Sequence, residues 1–205
     1  MRTKRLNCAV TFLRWCKRLG RRMRADSTKG SAAIEFAMVA PAFFLLLMGT
    51  MEAALIFFAQ STLQNAVNDA ARLVRTGQTT CFTGSGSTCA AMTQAQFRTQ
   101  ICNEAGAILS DCNGASLQFD VNAYSAGFSG ASDTSPLNSS GSLPPLTTFN
   151  TGSACEVVLV RAFYQWPVFT PMLNFFLANM AGNYHLLATA AAFRNEPYTS
   201  SVAGC

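Results

Sequence analysis

The sequence predicts an α+β protein: a long N-terminal helix that crosses a membrane and runs on into a small external domain built around an antiparallel sheet. Three observations predict it. Residues 1–30 form a basic leader that holds ten of the fifteen Lys and Arg and one acid, Asp26. Residues 31–76 read as one helix, apolar at first and amphipathic after. Residues 154–205 carry two strand-like runs beyond a Gly-, Ser-, Thr-, Asn- and Cys-rich stretch over 77–153.

Composition narrows the class. Half of the 205 residues are hydrophobic and 12% are charged, against about 25% in an average soluble domain. Bulk disorder is excluded. The net charge of +5 divides into +9 for residues 1–30 and −4 for the rest, and all three lysines (Lys4, Lys17, Lys29) lie in the leader. The external body therefore lacks the cationic stripe that phosphate backbones require, so it is not expected to bind nucleic acid. The leader, with its RWCKRLGRRMR run, could meet DNA or anionic lipid. The simpler reading is that Arg14 through Lys29 hold the N-terminus in the cytoplasm, as positive charge beside a span does.

Phe36–Ala59 is a run of 24 residues interrupted only by Pro41, Gly49, Thr50 and Glu52. A spanning helix needs about 20 residues, and the few cations beyond the run place the body outside. A cleavable secretory signal is the rival; its basic region would be unusually long, and no small-x-small site follows closely. Beyond Ala59, Leu63, Val67, Ala70, Ala71 and Val74 recur at three- and four-residue spacing and mark an apolar stripe that must pack on something. Arg72, Arg75 and Gly77 suit the end of that helix. Pro41 should bend it or loosen one turn.

The junction of leader and helix reads TKGSAAIEFAMVAP. A glycine, Gly30, is followed by four uncharged residues, then Glu35, then the apolar run. This resembles a type IV prepilin, which implies cleavage by a prepilin peptidase after Gly30 and a new N-terminus at Ser31. A carboxylate at the head of a spanning helix is costly in lipid and marks function by default. Glu35 gains from the helix dipole, and in a filament it could pair with the freed amine of a neighbouring subunit. The bland alternative is an ordinary acid at headgroup level. Glu52 has the same two readings, intramembrane pairing or a place near the outer headgroups, and the second is preferred.

The segment from Gly30 to Gln78, with G-x-x-A-I-E-F, an early proline, M-E-A near the far end of the span and Q-N-A-V-x-x-A-A-R after it, resembles the TadE-like proteins, pseudopilin-related components of tight-adherence (Flp) pilus systems. The runs CEVVLVRAFYQWP and RNEPY resemble the same family. The resemblance implies a type IV pilin-like shape and a single-pass protein of the bacterial inner membrane with a periplasmic C-terminal domain. Its implied partners are a prepilin peptidase and other pilus or secretion subunits met through the long helix.

Eight cysteines fall in two groups. Cys8 and Cys16 lie in the leader, facing a reducing compartment. Cys81, Cys89, Cys102, Cys112, Cys155 and Cys205 lie beyond the span, an even number in an exported segment, which points to disulfides. Fifteen pairings are open. Local closure, Cys81–Cys89 and Cys102–Cys112 with Cys155–Cys205 left over, is preferred. A zinc site is disfavoured by the absence of CxxC and by a single histidine, His185.

In the body, TQAQFRTQICNEAGAIL reads as a short helix with Phe97, Ile101, Ala105 and Leu109 four apart. LQFDVNAYS, CEVVLVRAFYQW and HLLATAAAFRN read as strands, and residues 125–153 as a flexible loop. WPVFTPMLNFFLANMAG is too interrupted for a second span. It reads as a buried loop with a short helix, the rival being an exposed patch of Phe175, Phe176, Leu177 and Met180 that meets membrane or partner. No catalytic set, cofactor site, metal site or small-molecule site is recognisable, and the GSGST run after Cys81 lacks the lysine of a phosphate loop. The expectation is a non-enzymatic assembly protein. The alternative is an uncleaved, membrane-anchored periplasmic binding or scaffold protein of an envelope secretion complex.

Overall fold

The computed structural model describes residues 30–79, 91–125, 127, 135–170 and 172–197. The fold is α+β. Its elements in chain order are α1 (Ser31–Arg75), α2 (Gln94–Ala105), β1 (Leu117–Tyr124), β2 (Val157–Pro167), α3 (Asn174–Leu177) and β3 (Tyr184–Arg194). The chain divides between Met48 and Gly49 into two compact units.

The first unit is the head of α1. The helix continues through Pro41. Ile34, Phe36, Met38, Val39, Phe43, Phe44 and Leu46 are all exposed there. Apolar surface on that scale is not stable in water and marks an interaction with lipid or protein. By length and composition α1 can cross a membrane.

The second unit takes in the rest of α1. Its inward face is Glu52, Ile56, Ala59, Leu63, Ala66, Val67, Ala70, Ala71 and Val74, all buried, and so contains every member of the stripe read at three- and four-residue spacing. Alanines along that face bring the helix backbone close to what it covers. Polar neighbours of the stripe then reach the sheet: Gln60 Nε2 donates to Ala188 O at 2.6 Å, and Thr189 Oγ1 bonds Gln64 Oε1. The helix ends one residue before the expected position, in a left-handed glycine. Gly77 has φ 73°; its N–H donates to Val74 O, and that of Gln78 to Leu73 O. This double closure satisfies the last carbonyls, and glycine is required because a side chain at positive φ is strained.

The sheet is antiparallel in the order β1-β2-β3. Leu117, Phe119 and Val121 enter the core as the alternation predicts. Phe97 of α2 lies 5.4 Å from both Phe119 and Phe149, centroid to centroid. The opposite face of β1 is also buried, which the alternation did not suggest. Asp120 stands directly across from Arg161 and meets it in a two-point ion pair at 3.1 and 2.6 Å. α2 starts on a capping box in which Thr93 and Gln96 exchange bonds.

The stretch expected to be a flexible loop over 125–153 differs in its second part. Val121 donates to Thr148 O at 3.0 Å and accepts from Asn150 N at 2.8 Å, so this segment lies along the outer edge of β1. Gln94 and Gln118 also bond Leu146, and Leu143 is buried. Its Gly and Ser content hid these backbone bonds, which need no particular side chain. Residues 126 and 128–134 lie outside the described residues.

Candidate functional site

The head of α1 holds the junction residues. Gly30 O accepts from Ile34 N at 3.2 Å and so opens the first helical turn. Ser31 Oγ donates to Glu35 Oε1 at 3.0 Å. Gly30, Ser31 and Glu35 are all exposed, and a Cβ added at Gly30 meets no atom within 4 Å. The bond at Gly30–Ser31 and the Glu35 carboxylate are therefore open to approach by another protein. The leader, residues 1–29, lies outside the described residues, and with it Cys8 and Cys16.

Glu52, the second acid of the apolar run, neither faces the headgroups nor awaits an external cation. It is 3% exposed. Its two carboxylate oxygens accept the backbone N–H groups of Phe169 at 2.6 Å and Thr170 at 3.1 Å. One helical turn earlier Leu173 rests on Gly49, where an added Cβ would come within 3.3 Å of it. Together they fix the β2–β3 connection to α1. Helix periodicity could not reveal this contact, because its donors are backbone groups 117 and 118 residues away.

That connection contains the short helix α3, as expected. Leu177 packs on the core, while Phe175 and Phe176 are 88% and 78% exposed. Both readings of the stretch are thus half right: it is anchored by its flanks and displays its tip. Met180 bridges to Tyr184. His185 is half-buried, and its Nδ1 lies 2.5 Å from Leu177 O.

Cys102 and Cys112 form a disulfide, and Cys155 is also disulfide-bonded. Cys81, Cys89 and Cys205 lie outside the described residues. The turn closed by Cys102–Cys112 is held a second time by Arg98, whose Nη1 donates to Gly114 O at 3.1 Å and Leu117 O at 2.6 Å. Arg98 also stacks over Phe119 at 5.2 Å. Burial lowers the pKa of this guanidinium from its ordinary value, and the charge of Asp111 opposes that. Among the described residues no three His, Cys, Asp or Glu side chains are grouped to hold a metal. Shallow grooves flank the end of α1, one lined by Asp69, Arg72, Gln100 and Glu104 and another by Asn68, Arg75 and Phe193. The first mixes both signs of charge, and the second sets arginines beside apolar side chains.

The family model described as TadE-like protein matches residues 30–72, the segment in which the sequence resembles that family. The match begins at Gly30 and ends near the close of the buried stripe. It does not extend over residues 155–198. No curated protein and no solved structure matches the chain.

Proposed function

We propose that the chain is a pseudopilin-like membrane protein required for assembly of a tight-adherence (Flp, type IV-like) pilus. A prepilin peptidase cuts it between Gly30 and Ser31. The observation that carries this reading is the TadE-like match whose first residue is Gly30. The exposed apolar head of α1 supports a single span of the inner membrane with the basic leader inside and the disulfide-bearing body in the periplasm. α1 then packs against other pilus or secretion subunits, and exposed Glu35 sets register by pairing with a neighbour's amine.

Mass spectrometry of the N-terminus recovered from membranes tests the reading. Ser31 as first residue is expected with the peptidase present, and the full-length chain without it or in Gly30→Leu. Met1 in every sample overturns processing and leaves an uncleaved periplasmic scaffold. Glu35→Ala is expected to insert normally and to abolish or sharply reduce piliation; normal piliation removes its role.

A further inference from the structure

We infer that the β2–β3 connection is a second membrane contact, a wedge whose Phe169, Met172, Phe175 and Phe176 side chains enter the acyl chains of the leaflet on the body's side. The inference rests on the proposed reading of α1 as a span. Depth is the first argument. The wedge is fastened to α1 at Glu52 and Gly49, which precede the outer end of the apolar run at Ala59 by roughly 10 and 15 Å along the axis. The whole run is about 36 Å long, and the hydrocarbon core is about 30 Å thick. Centring the run leaves its outermost turn at the boundary and both fastening points inside it. Chain fastened there shares their depth.

Chemistry is the second argument. The four side chains are 65%, 75%, 88% and 78% exposed, and residues 162–193 contain no Asp, Glu, Lys or Arg. At the same level of α1, Met51, Leu55 and Phe58 are exposed as well, so the wedge continues an apolar surface already turned to lipid. Backbone accounting is the third. Irregular chain at membrane depth must satisfy its own polar groups. The N–H groups of Phe169 and Thr170 bond Glu52. Seven more, those of Val168, Leu173, Phe176, Leu177, Ala178, Asn179 and Met180, bond carbonyls of the same connection and its flanks; those of Met172, Asn174 and Phe175 are not among them.

The test uses the full chain in vesicles of phosphatidylethanolamine and phosphatidylglycerol with brominated acyl chains. Tryptophan emission is read as the difference from the unsubstituted protein. The added emission of Phe175→Trp should be blue-shifted and quenched as strongly as that of Met51→Trp, exposed on α1 at the level of the fastening points. Thr99→Trp on α2 should instead be quenched by acrylamide in the aqueous phase. If Met51→Trp is quenched by the lipid but Phe175→Trp no more than Thr99→Trp, the wedge is refuted and the span stands. If Phe175→Trp is shielded from both quenchers, protein rather than lipid covers the tip, which also refutes it. If Met51→Trp escapes too, the span falls and the wedge with it.

Discussion

Two excursions of the chain are clamped by opposite chemistry. The turn after α2 is polar and is held by a cation: Arg98 donates to the carbonyls of Gly114 and Leu117, inside a loop already closed by Cys102–Cys112. The β2–β3 connection is apolar and has no such covalent closure between its described residues. An anion holds it, with Glu52 accepting two backbone N–H groups. Each clamp is a charged helix side chain reading the bare backbone of a distant segment. The difference teaches where a disulfide is dispensable. A buried carboxylate with two backbone donors secures a loop that lies against apolar helix, whereas the turn after α2 uses a covalent tie as well.

Removing the anion should have the largest effect. Two charge-assisted bonds at about 1.5–3 kcal/mol each put Glu52→Ala at roughly 4 kcal/mol. The amides of Phe169 and Thr170 should lose their protection in hydrogen exchange while α2 keeps its own; unchanged protection would mean that Leu173 on Gly49 suffices. Next comes the covalent tie. Cys102→Ser with Cys112→Ser opens a loop with a sequence separation of 10, worth about 3 kcal/mol, measured as a shift in denaturation midpoint. Smallest is Arg98→Ala, at roughly 2 kcal/mol. Arg98→Lys should restore only part, because an ammonium lacks the planar fork. If Arg98→Ala costs more in the disulfide-free background than in the native one, the two ties share one task.

Much of the fold was legible in the sequence because it is local. The stripe from Leu63 to Val74, the Gly77 terminus, α2 and the three strands all lie within a residue or a few of their expected places. Periodicity and turn chemistry act over a few residues, and that is what a sequence displays. What escaped is what links distant segments. Glu52 looked like a headgroup-level acid, since nothing in its own helix names Phe169 as a partner. The Asp120–Arg161 pair escaped because register, not composition, sets the two residues face to face. The ordered course of residues 143–150 escaped because its bonds to Val121 are made by backbone alone. At the head of α1 the residues Gly30, Ser31 and Glu35 were legible as a motif, and their geometry adds accessibility and the bond from Ser31 to Glu35.

The strip of chain laid against β1 has one more effect. At Val121 both outward-facing main-chain groups are taken by Thr148 and Asn150, and at Leu117 the carbonyl is taken by Arg98. Exposed strand margins invite neighbouring copies to join them into longer sheets. Here the molecule's own chain occupies that margin at Val121, so a neighbouring copy cannot pair its backbone there, and contact at that point has to be made by side chains.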